Sequence, residues 1–350
     1  MMRISIIGGG FCGATIASIL DSNEDFSVTL IDRKPFFEYN PSAQKCITKP
    51  KYQNRIRYPF NKFLSTTRII SEQVKQIFPS KIQTDSKIIE FDYAVLCMGA
   101  TYPILLSNTN HVYKMTNCND AIRLFKSLKE ANNVLIVGGG YLGVEIASEL
   151  ATKRPDLDIT VVHSQKRLLE KHPKLVSLYT TKFLSNRGVK IILNEKIIEQ
   201  PKDHSFSTKN GRMFEADVCI WCTGIDIDTT LLKEFNPASF DENNRIKVNE
   251  FLQIEGYDRL FAGGDITSIN EEKTARNAKL HAHVIANNIK KMYQKKSLVA
   301  YKRHISPMVI NLGDYHGIAT YGDLIFFGIL PGISKWIIEW WTLFSLRAKT

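Results

Sequence analysis

The chain has little of what builds a disulfide-stapled or metal-centred protein. Its 350 residues include six cysteines, scattered at Cys12, Cys46, Cys97, Cys118, Cys219 and Cys222. No secretory leader precedes the first apolar strand, so a disulfide framework is not expected and an intracellular, cytoplasmic chain is. His281, His283, His304 and His316 lack the spacing to cysteine or carboxylate that a metal site needs, so capping or core roles are expected of them and no metal is. Long apolar runs are missing as well. Leu324 to Leu330 is apolar, but Pro331, Gly332, Lys335 and Glu339 interrupt it well short of the roughly 20 residues of a membrane span. There are no heptads and no low-complexity linker. Acids are in deficit, 35 against 46 Lys and Arg, which gives a formal charge of +11. That charge suits an anionic partner or surface without choosing one.

Glycine is concentrated in two similar turns, Gly8-Gly9-Gly10-Phe11-Cys12-Gly13 and Gly138-Gly139-Gly140-Tyr141-Leu142-Gly143. Each follows a short apolar strand (Ile4 to Ile7; Asn133 to Val137) and precedes an Ala/Ile/Leu-rich helical stretch. In that context the motif reads as a dinucleotide fingerprint, whose glycines let the backbone approach a pyrophosphate at a helix N-terminus. Two such sites in one chain point to electron transfer between two bound nucleotides.

The next strand of each unit separates the two sites. The first ends at Asp32, about 20 residues past the glycines, where a carboxylate accepts hydrogen bonds from an adenosine ribose. The second ends at His163, followed by Ser164, Gln165, Lys166 and Arg167. Without an acid to repel a 2′-phosphate, that site is expected to take NADPH as well as NADH. Lys166 and Arg167 read equally well as a solvated turn. Two further strands, 91–100 ending near Gly99 and 216–224 ending at Gly224, each run into a small-residue turn. Gly263-Gly264-Asp265 then precedes a helical stretch from Thr274, where Asp265 by itself reads as a helix cap.

Taken in order, GGGFCG, Asp32, CMGATYP, GGGYLGVE, CTGI and FAGGDIT resemble the two-dinucleotide-domain flavoprotein oxidoreductases over almost the whole chain. Within them the chain resembles the ferroptosis-suppressor group of apoptosis-inducing-factor homologues, relatives of the type II NADH dehydrogenases. The matching residues include Asp32-Arg33-Lys34 through Asn40, Ala43 and Lys45, then Val162-His163-Ser164-Gln165 and Leu280-His281-Ala282. The resemblance implies an α/β fold of two Rossmann-like domains, a glutathione-reductase-like FAD domain carrying an inserted NAD(P)H domain. It implies that Gly8, Gly10, Gly13, Asp32 and Lys34 hold the ADP half of FAD, that Gly99 passes under it, and that Asn40 and Lys45 lie close to the flavin. Asp265 would bond the ribityl chain, and the helix start at Thr274 would face the flavin's pyrimidine edge. Gly138, Gly140 and Gly143 would hold the NAD(P)H pyrophosphate, with His163, Lys166 and Gly224 beside the nucleotide. Glu145, otherwise readable as a first-turn helix acid, would orient the nicotinamide. Glu145 and Lys45 are the candidate catalytic residues.

Length and composition agree, since 350 residues with 44% hydrophobic content suit two domains rather than one core. The expected division is an FAD domain from residues 1–114 and 237–293, an NAD(P)H domain from 115–236, and a C-terminal segment from 294–350. Cys219 and Cys222 form a CxxC, but on a strand residues three apart face opposite ways, so a redox role is not expected. Cys46 has no partner cysteine three to five residues on, and electrons are expected to leave the flavin directly.

From Ile333 to Leu346, Ile333, Trp336, Ile337, Trp340, Trp341, Leu343 and Phe344 fall on one side of a helix, and Lys335, Glu339 and Thr342 opposite. This reads either as an interfacial helix on an anionic bilayer or as a helix packed on the protein or in a homodimer contact. Met2 is not the glycine that N-myristoylation requires. The acceptor expected is a lipid-soluble quinone reached by peripheral membrane association. The alternatives are a redox-controlled protein binding DNA or a partner, which no aromatic-studded basic stripe favours, and reduction of an acidic iron-sulfur protein such as a ferredoxin.

Overall fold

The computed structural model describes residues 1–348 other than 102, 105, 107, 108 and 225. Two five-stranded parallel sheets organise it. In the first, the strand order is Leu260–Ala262, Tyr93–Leu96, Met2–Ile7, Phe26–Ile31 and Arg68–Ile70. In the second it is Val112–Lys114, Val218–Trp221, Asn133–Val137, Asp158–His163 and Lys190–Leu193. The inner strands are buried on both faces and therefore read as unbroken β-branched and aliphatic runs such as Asn-Val-Leu-Ile-Val. Each sheet has an antiparallel three-stranded meander just ahead of a returning strand, residues 74–90 before Tyr93–Leu96 and residues 197–215 before Val218–Trp221. The same plan thus occurs twice.

Helices Phe11–Leu20 and Ala275–Tyr293 join one core through Ile16, Ala17, Leu20, Ala282, Ile285 and Ala286. Two segments fall on the other side of the division expected from sequence. Strand Val112–Lys114 pairs into the second sheet at Val112 opposite Cys219, ahead of the boundary at 115. Ile227, Leu232 and Phe235 pack with Ile7, Ile31 and Leu96 of the first sheet, ahead of the boundary at 237. A bridge between Thr101 and Asp226 joins the two crossings. Apolar burial, which places Phe235, leaves no punctuation in the sequence for a boundary to be read from.

The C-terminal residues form a meander, Met308–Leu312, His316–Tyr321 and Leu324–Gly328, followed by helix Ile329–Arg347. Cys219 joins the core on one face of the second sheet and Cys222 the core on the other. Burial pushes both thiols up, as expected for structural cysteines.

Candidate functional site

Backbone geometry explains the two glycine turns. Gly8 sits at φ +99°, and a Cβ on Gly13 would lie 1.9 Å from the Gly8 carbonyl oxygen. Gly138 at φ +115° and Gly143, whose Cβ would lie 1.9 Å from the Gly138 carbonyl, repeat the arrangement. Gly10 and Gly140 are the N-caps of helices Phe11–Leu20 and Tyr141–Lys153, and neither helix start has a side-chain cap. A Cβ on either would meet open space. Both helix ends therefore keep free N–H groups beside an open cradle, the fit a pyrophosphate requires.

The residue ending the second strand of each unit braces its turn. The Asp32 carboxylate accepts from Gly9 N at 2.7 Å and from Lys34 N at 2.8 Å. In the second unit His163 Nδ1 accepts from Gly139 N at 3.1 Å. His163 thus substitutes for an acid in the scaffold, and a ring that accepts at Nδ1 carries its proton on Nε2. Burial lowers its pKa, which keeps it neutral. Of the two cations after it, Arg167 donates to the carbonyls of His172 (2.7 Å) and Glu170 (2.5 Å). Lys166 is exposed.

Gly99 at φ +70° and Gly224 at φ +75° close the strands that end beside each turn. Asp265 is not a helix cap. Helix Ala275–Tyr293 is capped by Thr274, whose hydroxyl accepts from Asn277 N at 3.2 Å. Burial raises the Asp265 pKa, opposed by Lys273, His281 and Arg245. The turn beneath it is held by buried His281, whose Nδ1 accepts from Gly264 N at 3.0 Å and whose Nε2 lies 2.8 Å from Glu271 Oε1. His281 matched the family pattern, yet nothing local in sequence shows this brace.

Glu145 is likewise not a first-turn acid. It lies one turn into helix Tyr141–Lys153, accepting from Gln44 Nε2 (3.2 Å), from Asn311 N (2.9 Å) and from Lys335 Nζ. It therefore joins the first domain, the second domain and the C-terminal helix. Nearby, Glu339 is fully buried and accepts from Ser42 Oγ (2.5 Å), Tyr52 OH (2.7 Å) and Arg55 Nε (2.8 Å). Lys45 Nζ lies 3.8 Å from Glu339 and 3.3 Å from the Tyr52 hydroxyl. Burial lowers the Lys45 pKa, and Glu339 opposes that shift. Asn40 begins the same segment and is exposed, and Lys34 lies over the Phe36 ring at 5.8 Å.

Lys335, Glu339 and Thr342 were readable as the polar side of the last helix, but not that this side faces the protein. It is the polar side that is buried. Trp336, Ile337, Trp340, Trp341 and Phe344 are exposed, and Leu343 alone of the expected apolar stripe is buried. Sequence also missed that Cys46 meets Cys118, with sulfurs 3.0 Å apart, because the partner is 72 residues away rather than in the next turn.

With this geometry in place, comparison with known proteins assigns the chain. The profile of the pyridine nucleotide-disulphide oxidoreductases matches residues 2–282. The chain belongs to that family. Apoptosis-inducing factor homolog A of Dictyostelium discoideum is 31% identical over 93% of this chain and 86% of its own. Ferroptosis suppressor protein 1 of Taeniopygia guttata is 27% identical over 95% of this chain and 92% of its own. Among solved structures, NDH2 of Plasmodium falciparum in complex with NADH superposes with a TM-score of 0.87 at 16% identity, covering 99% of this chain and 96% of that one. That likeness establishes the fold. As a member of the family, the chain is an FAD-dependent NAD(P)H oxidoreductase.

Proposed function

We propose that the protein passes electrons from NAD(P)H through FAD to a lipid-soluble quinone at a membrane surface. One observation carries this reading. The C-terminal helix is amphipathic with its polar side inward and its aromatic side outward. Lys335 and Glu339 are held by Glu145, Ser42, Tyr52 and Arg55, while Trp340, Trp341 and Phe344 remain 45%, 62% and 46% exposed. Leu324, Phe326, Ile329 and Leu330 extend the exposed apolar surface. A patch of this size on a folded chain marks a contact surface, and tryptophan with Arg347 in the last turn suits a lipid interface. Among the described residues no helix is long and apolar enough to cross a membrane, which favours peripheral attachment. An apolar face at this end suits an oily acceptor better than an acidic protein such as a ferredoxin.

Bound FAD supplies the two-electron carrier between nucleotide and acceptor. The Gly8 and Gly138 turns would hold the two pyrophosphates. Asp32 braces the first turn and receives the FAD adenosine ribose, and His163 braces the second. Asp265 would hold the ribityl hydroxyls, and the start of helix Ala275–Tyr293 would offer its positive end to the reduced flavin. Glu145 positions the nicotinamide, and its bond to Lys335 ties that position to the membrane-facing helix. Lys45 holds a proton beside the flavin site within reach of Tyr52 and Glu339. The 2′-phosphate of NADPH is tolerated because His163 carries no charge to repel it.

The test is spectroscopic. Purified protein should show flavin absorption that bleaches anaerobically with NADH or NADPH and returns when a long-chain quinone is supplied in liposomes. Bleaching that a ferredoxin reverses and quinone does not would overturn the acceptor assignment.

A further inference from the structure

An ammonium is costly to withdraw from water, and a lysine so placed normally has a carboxylate beside it. Lys335 against Glu145 and Lys45 against Glu339 follow this rule. Lys279 does not. It lies one turn into helix Ala275–Tyr293, partly buried, and among the described residues no carboxylate accompanies it. Its Nζ donates to Thr342 Oγ1 at 3.4 Å and sits 5.6 Å from the centre of the Phe11 ring. Phe11 in turn meets Phe37 and Tyr39 edge-on.

Burial alone lowers the Lys279 pKa, because the ionisable groups around it are engaged elsewhere or neutral. Helix Phe11–Leu20 carries no charged residue. On the last helix Lys335 and Glu339 are held as described, and Arg347 lies over the Tyr58 ring. Arg276 and His283, on the same helix as Lys279, are exposed. Burial raises the Tyr39 pKa and keeps that hydroxyl neutral. An unpaired, partly buried ammonium between packed elements is a candidate for chemistry, since its lowered pKa makes it a better proton donor near neutral pH.

Three elements meet at this ammonium. Phe11 is the first residue after the Gly10 cradle, Lys279 itself lies just inside the second helix of the same domain, and Thr342 is on the buried polar side of the last helix. The opposite side of that last helix is the one assigned above to the bilayer. A quinone moving from the bilayer beneath this helix towards the flavin would cross the seam that Lys279 occupies.

Reduction of a quinone to its quinol takes two electrons and two protons. NAD(P)H brings two electrons and one proton as a hydride, so that NAD(P)H, quinone and one further proton give NAD(P)+ and quinol. We propose that Lys279 is the catalytic residue that supplies this further proton, its Nζ donating to a quinone carbonyl oxygen. The N–H bond breaks as the quinol O–H forms, and the neutral amine then recovers a proton from water. The proposal rests on the quinone reading above and names the proton donor for it.

The test follows reoxidation. Holoprotein reduced anaerobically with one equivalent of NADH is mixed with a short soluble benzoquinone between about pH 6 and pH 10, and binding of the same quinone to oxidised holoprotein is measured by calorimetry. In the parent, reoxidation should fall as pH rises through a value below the ordinary lysine pKa of 10.5. Lys279→Met should slow reoxidation about a hundredfold and flatten its pH profile. Its thermal midpoint should hold or rise, since an unpaired charge leaves the interior. Lys279→Arg keeps the charge but cannot release a proton in this range, so it should bind the quinone within about threefold of the parent and remain as slow as the Met variant. Parent-like reoxidation in Lys279→Arg would make the residue a fixed charge and overturn the donor role. The same result in Lys279→Met would overturn this inference with the quinone assignment standing, and a parent profile flat across the range would do so whatever the variants show. A reduced parent that the quinone does not reoxidise would overturn the quinone assignment and this inference with it.

Discussion

Replacing Trp340, Trp341 and Phe344 together by serine separates attachment from folding. These side chains are 45%, 62% and 46% exposed and lie on the outward side of a helix whose inward side is pinned by Glu339 and Lys335. Burying a large apolar side chain completely stabilises by about 1.5 to 3 kcal/mol, and roughly half of each is already covered, so a bilayer gains about 1 kcal/mol apiece. Three together come to about 3 kcal/mol, or on the order of a hundredfold in partitioning. Exposed substitutions of this kind usually move folding stability by only about 0.5 kcal/mol each. The expected result is lost co-sedimentation with anionic liposomes, slow turnover of a long-chain quinone, unchanged turnover of a short soluble one, and a thermal midpoint within a few degrees of the parent. A large fall in the midpoint with equal loss toward both quinones would refute the reasoning. So would a parent that ignores liposomes and sediments as a dimer through this face.

Asp265→Ala should release FAD on dialysis, since the ribityl hydroxyls lose a charged acceptor, about 1.5 to 3 kcal/mol; unchanged flavin content in the dialysed protein would contradict this. Because burial raises the Asp265 pKa, its charged form costs the apoprotein stability as pH rises through that pKa. Asp265→Asn should therefore raise the apoprotein midpoint at neutral pH while weakening FAD, as measured by paired melts with and without cofactor. Glu145→Ala leaves Lys335 buried without its partner, so stopped-flow bleaching by NADH should slow and the midpoint fall, breaking such a pair costing about 3 to 5 kcal/mol. His163→Asp should penalise NADPH far more than NADH, read as the ratio of kcat/KM for the two. Burial also lowers the His163 pKa, so its contribution to stability is full above the ordinary value near 6.5 and is lost as pH falls through the folded value. Melts of the parent should therefore decline more steeply below about pH 6.5 than those of His163→Asn.

The fold was legible in sequence because what specifies it is local. Gly8 and Gly138 need positive φ, Gly13 and Gly143 leave no room for a Cβ, and the runs around Ile6 and Leu135 admit only a strand covered on both faces. The spacing from these turns to Asp32 and His163 follows from the length of one helix and one strand, so the two bracing side chains could be found by counting. What tertiary structure decided concerns groups far apart in the chain. Glu145 meets Lys335 across 190 residues, Ser42 meets Glu339 across 297, and Cys46 meets Cys118 across 72. Strand Val112–Lys114 and residues 227–235 join their sheets by pairing and burial that no turn residue announces. Asp265 looked like a cap until Thr274 was seen to hold that place. Helical periodicity alone divided the last helix into an aromatic side and a polar side. Which side turns inward depended on where the rest of the chain puts its charges, because a buried carboxylate such as Glu339 is tolerable only where Tyr52, Arg55 and Ser42 already converge on it.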